Sequence, residues 1–167
     1  IPVLDKHLVS KNTKPNFFGP YILKPRFGGS SIGVEVVEDY ETALKLSRNS
    51  KIYSQGSTVE KFLENSNDLL IGIRTYPNLD FSEIEKPIRT SSFELFSYND
   101  KYLDNGGLEG SKRELPATIS TEIESQIKKI LTLFVEQIEI RGISRVDFLL
   151  HNENLYLNEV NTIPGSH

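Results

Sequence analysis

The sequence predicts a mixed protein of class α+β, and three observations carry that expectation. Stretches with strand character are interleaved with stretches of helical spacing. Residues 122–140 show the clearest amphipathic helix, and the last patterned stretch reads as two strands, 145–150 and 155–161, flanking a polar turn. The 167 residues suffice for one domain or two small lobes, and 37% hydrophobic content argues for a packed core.

The elements follow in chain order. Ile1-Pro2-Val3-Leu4 opens as a short strand, and a polar, proline-containing loop runs on to Pro20. Tyr21-Ile22-Leu23-Lys24-Pro25 reads as a strand stopped by its proline. A glycine-serine loop, Phe27-Gly28-Gly29-Ser30-Ser31-Ile32-Gly33, separates it from a strand at 34–37. Asp39 is placed to cap a helix over 40–49, with Ala43, Leu44 and Leu46 on its buried side. A β-rich stretch at 57–63, a polar break at 64–68 and an apolar run at 69–73 come next. Residues 76–118 are rich in turns, with strands expected near 84–89 and 92–98. Thr121 and Glu124 form a capping box for the long helix. Ile123, Ile127, Ile130, Leu131, Phe134 and Ile138 recur at helical spacing, and Gly142 ends it.

Composition excludes some partners. A net charge of −4 argues against nucleic acid, whose backbone calls for concentrated Lys and Arg. No apolar run is long enough to span a bilayer, and no secretory leader opens the chain. The absence of cysteine excludes disulfides and thiolate metal sites and fits a cytoplasmic location. Methionine is also absent and the chain starts at Ile1, so the expectation is a piece of a longer protein. His7, His151 and His167 show no catalytic or metal-ligand spacing.

The closing strands carry the chemistry. Arg145 and Asp147 share one strand face, and Glu159 and Asn161 share a face of the next. A turn centred on Glu153 sets Asp147 opposite Glu159 and Arg145 opposite Asn161, with Val146, Phe148, Leu150, Tyr156 and Val160 turned toward a core. Two facing carboxylates repel unless something positive lies between them. Asp, Glu and Asn oxygens are hard ligands suited to Mg²⁺, with phosphate completing the shell. A one-residue slip would instead put the acids on opposite faces and leave a solvated polar surface.

The glycine-serine loop is open to two readings. It lacks the spacing and following helix of a P-loop. Its backbone N–H groups and serine hydroxyls can close over phosphates, with Lys24 adding a charge, or the loop is an ordinary hairpin connection.

In combination the stretches become specific. Ile22-Leu23-Lys24-Pro25, Gly29-Ser30-Ser31-Ile32-Gly33, Val59-Glu60-Lys61-Phe62-Leu63, Lys101-Tyr102, Arg145-Val146-Asp147 and Asn158-Glu159-Val160-Asn161-Thr162-Ile163-Pro164-Gly165 succeed one another in this order. The set resembles the D-alanine–D-alanine ligase family over essentially the whole chain, most sharply in its last run.

That resemblance implies an ATP-grasp fold of two α+β lobes holding ATP between them: a central lobe at 1–64 and a C-terminal lobe at 65–167. It implies a ligase that joins two D-alanines through an acyl phosphate for peptidoglycan precursors. Lys24, Ser30, Ser31 and Lys101 would contact phosphates. Glu60 would take the adenine amino group, with the backbone of Lys61 and Leu63 on the ring edge, although Glu60 and Lys61 can also be read as a surface pair. Asp147, Glu159 and Asn161 would hold two Mg²⁺ ions, with Mn²⁺ as an alternative. Arg145, Ser30, Tyr102 and the Gly165 N–H complete the catalytic set. The family's ribose-binding Gly-x-Glu is missing; Asp68 stands in for its acid. The implied partners are ATP and D-alanine, with room for a homodimer of the full-length protein. Two other readings remain: an ATP-grasp ligase for a different amino acid or peptide, and a non-catalytic nucleotide-binding module.

Overall fold

The computed structural model describes residues 1–29, 31–88 and 113–164, and the chain divides into two compact units. One is built on Leu4–Glu64. The other takes Ile1–Val3, Asn65–Ile88 and the described residues from 113 onward. The first three residues join the second unit because the Pro2 carbonyl accepts the Leu157 N–H at 2.9 Å.

The Leu4–Glu64 unit is a four-stranded antiparallel sheet with one helix. Its strands are β1 (Lys6–Leu8), β2 (Tyr21–Pro25), β3 (Glu35–Val37) and β4 (Ser57–Lys61), in the order β1-β4-β2-β3. The opening strand therefore lies later than residues 1–4, because Lys6, His7 and Leu8 find partners on β4. Strand alternation puts Tyr21, Leu23, Val37 and Val59 on one face. There they form a core with Tyr53 and with Tyr40 and Ala43 of α1 (Tyr40–Asn49). Asp39 caps α1, its carboxylate accepting the Thr42 N–H at 2.8 Å, and these Thr42 hydrogen bonds hold its carboxyl below the usual range. Leu46 packs partly against the core, whereas Leu44 is not among its members.

The second unit is a five-stranded sheet covered on one face by a helix. β5 (Asn67–Arg74), β6 (Asp80–Pro87), β7 (Arg113–Glu114), β8 (Ile143–His151) and β9 (Asn154–Asn161) run in the order β7-β6-β5-β8-β9. Leu69, Ile71, Ile73, Ile84, Val146, Phe148 and Leu155 meet Ile123, Ile127 and Leu131 of α2 (Thr121–Ile138) in one core. The helix starts one step before the capping box: Ser120 is the N-cap, its hydroxyl accepting the Ile123 N–H at 3.3 Å. It ends on Glu139 in the left-handed region (φ 52°), ahead of Gly142, which belongs to the turn into β8. The strand expected at 92–98 lies outside the described residues.

The β8–β9 hairpin decides what the face opposite α2 presents. Its turn is the two residues Asn152-Glu153, both left-handed (φ 47° and 61°), between His151 and its partner Asn154. Such a turn suits the right-handed twist of the flanking strands. Pairing runs from there to Phe148 opposite Leu157, then jumps one residue, so that Asp147 faces Glu159 and Arg145 faces Asn161. Asn158 is the extra residue of a bulge. The expected carboxylate pairing is present, but through a tighter turn plus a bulge rather than a turn centred on Glu153. Beyond the bulge the faces exchange. Tyr156 lies opposite Leu149, away from the core, and Leu155 and Leu157 take the core positions.

Candidate nucleotide and metal site

On the face of the five-stranded sheet opposite α2, β8 contributes Arg145 and Asp147 and β9 contributes Glu159 and Asn161. Asp147 is 8% exposed and accepts two hydrogen bonds from Arg145, Nε to Oδ1 at 2.7 Å and Nη2 to Oδ2 at 2.9 Å. A bidentate pair of this kind is stronger and more directional than a single contact. With its amide oriented to suit both neighbours, Asn161 donates to Glu159 Oε1 at 2.9 Å and accepts from Arg145 Nη2 at 3.1 Å. The arginine is thus the positive charge between the facing acids. The Asp147 hydrogen bonds raise the Arg145 guanidinium above its ordinary value against the opposing effect of burial, and the charges of Asp147, Glu159 and Glu85 add to the rise.

Two neighbours escaped the sequence reading. Glu85 of β6 lies opposite Leu70 on this same face, and Arg113 of β7 approaches it at 3.5 Å. Between β6 and β8 runs β5, whose Gly72 stands opposite Arg145 and puts no side chain beside it. Alternation within 80–87 was the available signal, but that stretch reads as turn-rich. Asp68 pairs with Leu149, which places it on this face too.

Oxygen donors of this kind fit a hard cation. Two carboxylates on adjacent strands with a neighbouring amide form a donor set for Mg²⁺, which keeps waters and takes phosphate oxygens. No group of three or more His, Cys, Asp or Glu side chains among the described residues could hold an ion alone. A cation here would therefore need donors beyond the acidic side chains, such as Asn161, water or phosphate.

The Leu4–Glu64 unit gathers the second set. Glu60 of β4 is 2% exposed, on the sheet face opposite the core. Lys24 of β2 donates to its Oε2 at 2.8 Å. Lys6 of β1, its cross-strand partner, brings Nζ within 3.0 Å of Oε1. Glu60 is therefore no surface residue; it and Lys61 separate, with Lys61 exposed and Leu63 buried. Lys6 lies outside every motif and was not foreseen. Next in the chain, the Phe62 N–H donates to the Pro20 carbonyl at 2.9 Å.

The glycine-serine loop is anchored at its far end. Tyr53 donates to the Gly33 carbonyl at 2.9 Å and to Glu35 at 2.7 Å, and burial with the Glu35 contact pushes its phenol up. Gly33 has φ +73°, a left-handed conformation that favours glycine, and a Cβ there would also press on Ile52 Cδ1 at 2.5 Å. Ser31 is also left-handed, at φ 58°. Ser30, Lys101, Tyr102 and Gly165 lie outside the described residues.

Two α+β units, one with lysines on a buried glutamate and one with an arginine-bridged acid pair, have the architecture of an ATP-grasp ligase. Residues 4–166 match the family model of the D-ala D-ala ligase C-terminus, and the chain belongs to that family. It is 34% identical over 176 residues to the D-alanine–D-alanine ligase of Thermosipho africanus, covering 99% of this chain and 47% of that protein. The crystal structure of the Helicobacter pylori D-alanine–D-alanine ligase matches with a TM-score of 0.70 and 28% identity, over 99% of this chain and 50% of that one. A Bacillus anthracis D-alanine–D-alanine ligase complexed with ATP shares the fold, with a TM-score of 0.69 at 19% identity over 99% of this chain and 50% of that one. The chain spans about half the length of the curated relatives it matches.

Proposed function

We propose that the full-length protein is an ATP-dependent D-alanine–D-alanine ligase supplying peptidoglycan precursors. The observation that carries this reading is the Arg145, Asp147, Glu159 and Asn161 cluster, assembled on one sheet face in a member of that ligase family. In the first step a carboxylate oxygen of one D-alanine takes the γ-phosphoryl group of ATP, releasing ADP and leaving an acyl phosphate. In the second, the amine of another D-alanine attacks the acyl carbon, inorganic phosphate leaves, and the amine gives up a proton.

The chain's own groups address the charge in these steps. A carboxylate and a triphosphate repel each other, and fixed cations aimed at the transferring oxygens lower that cost without reorganising. Arg145, hydrogen-bonded twice to Asp147, is such a group, and Lys24, whose ammonium sits on Glu60, is another. Asp147, Glu159 and Asn161 would hold Mg²⁺, which supplies charge neutralisation for the phosphoryl oxygens when bound. Glu60, Lys61 and Leu63 would meet the adenine, Asp68 the ribose, and Ser30, Ser31 and Lys101 the phosphates. Tyr102 and the Gly165 N–H would complete the catalytic set. We also assign the central lobe to 1–64 and the C-terminal lobe to 65–167.

The test is phosphate release from ATP by the full-length protein across a panel of amino acids, with products identified by mass spectrometry. Release that requires D-alanine and yields its dipeptide supports the reading. Release with another amino acid moves the protein to a different ligase specificity, and no release with any leaves only nucleotide binding.

A further inference from the structure

Glu60 presents an imbalance that the family motifs do not explain. Its carboxylate is almost fully buried, yet two lysines reach it, one to each oxygen. The two contacts differ. Lys24 Nζ makes an aligned hydrogen bond to Oε2. Lys6 Nζ stands 3.0 Å from Oε1 without alignment, and Oε1 has no hydrogen-bond partner although it is buried. Lys6 therefore supplies charge to Oε1 without satisfying its lone pair. Buried polar atoms are rarely left in that state without a reason.

Given the function proposed above, on which this inference rests, the second lysine matters once a nucleotide binds. Lys24 has two claimants, Glu60 and a phosphate. If it turns to the phosphate, Glu60 loses its aligned partner, and an ionised carboxylate buried without a counter-charge is strongly disfavoured. Another cation must then remain beside it. Lys6 is that cation. It is set directly across from Glu60 by the β1–β4 register, on a strand of its own that need not move with Lys24. We propose that Lys6 is a positioning residue of the nucleotide site, holding the Glu60 carboxylate in place for a 6-amino purine while Lys24 serves the phosphates.

The experiment compares natural, Lys6→Met and Lys6→Arg forms of the full-length protein. Calorimetry measures binding of a non-hydrolysable ATP analogue and of its inosine counterpart, which carries a 6-oxo group. Methionine keeps an unbranched stem and removes the charge. Lys6→Met should bind the ATP analogue about 10-fold more weakly, the worth of a hydrogen bond to a charged group. It should also lose most of the preference for the amino over the oxo base, and Lys6→Arg should restore both. Unchanged affinity and preference in Lys6→Met would overturn the proposal, as would equal weakening toward both analogues, which marks a merely structural role. A natural protein that binds the ATP analogue without preferring it over the inosine form overturns this inference alone. One that binds neither overturns the proposed function with it.

Discussion

Replacing Glu159 by Gln separates what the acid pair does for folding from what it does for ligand binding. Glu159 is exposed and opposes Asp147, and facing like charges in a sheet cost about 0.2–1 kcal/mol. Against that, Glu159 attracts Arg145 and accepts from Asn161. Gln keeps the volume and the acceptor oxygen, so the two charge effects nearly cancel and ligand-free stability should change by less than about 0.5 kcal/mol. Binding behaves otherwise. A ligand at 100 times its dissociation constant stabilises the folded state by about 2.7 kcal/mol. Losing one carboxylate ligand should weaken Mg²⁺-nucleotide at least about 10-fold, removing about 1.4 kcal/mol of that gain. Urea unfolding of the full-length protein, with and without Mg²⁺ and a non-hydrolysable ATP analogue, reads both quantities. Phosphate release should fall with the binding term. If Glu159→Gln keeps the full ligand-induced gain and full turnover, the β8–β9 acid pair has no place in metal binding.

Two further outcomes test the scaffold. Gly33→Ala forces a Cβ to 2.5 Å from Ile52 Cδ1 at a left-handed φ, so it should cost about 1–3 kcal/mol in chemical denaturation; a neutral result would dismiss the anchored loop end. Ile127→Ala empties a fully buried position between α2 and the sheet and should cost about 2–5 kcal/mol by the same measurement.

Legibility in the sequence followed the kind of signal each element carried. The long helix was readable because Ile123, Ile127 and Leu131 bury one face, a pattern that tolerates errors of one residue at either end. Its start was still misplaced, since Ser120 and Thr121 are both good caps and only geometry chooses between them. The Arg145, Asp147, Glu159 and Asn161 cluster was readable because two-residue spacing fixes a shared face without any tertiary knowledge. Lys6 was not readable, because it reaches its site only through pairing with β4, distant in sequence. Glu85 had an alternation signal of its own, but only the long-range pairing of β5 with β8 brings its strand to the site. The first strand was misplaced for a related reason. Ile1-Pro2-Val3-Leu4 has the apolar character of a strand, but strand β1 is defined by what pairs with β4. The Tyr156 error has a single cause, the bulge at Asn158, which no local pattern announces.

That bulge permits a test of register. If the hairpin turned about Glu153 without a bulge, Asn158 would oppose Phe148, and deleting it would shift Glu159 onto the core face. In the observed arrangement the turn is Asn152-Glu153, Phe148 opposes Leu157, and Asn158 has no partner. Deleting Asn158 then removes the extra residue and leaves Asp147 opposite Glu159 and Arg145 opposite Asn161. Deleting Val160 instead keeps the bulge but draws Asn161 opposite Val146, which belongs to the core. A one-residue slip of this kind turns every later side chain over. Loss of the bulge should relax local twist and re-aim the carboxylates somewhat, so a weakening of Mg²⁺-nucleotide binding up to about 10-fold is expected for the Asn158 deletion. The Val160 deletion should bind no Mg²⁺-nucleotide detectably and should be destabilised by at least about 1 kcal/mol, since a buried amide would replace an apolar contact. Calorimetric titration of the two full-length deletion proteins, beside their urea midpoints, makes the comparison. Equal loss of binding in both, with the Asn158 deletion otherwise folded, would refute the bulged register and restore a turn centred on Glu153.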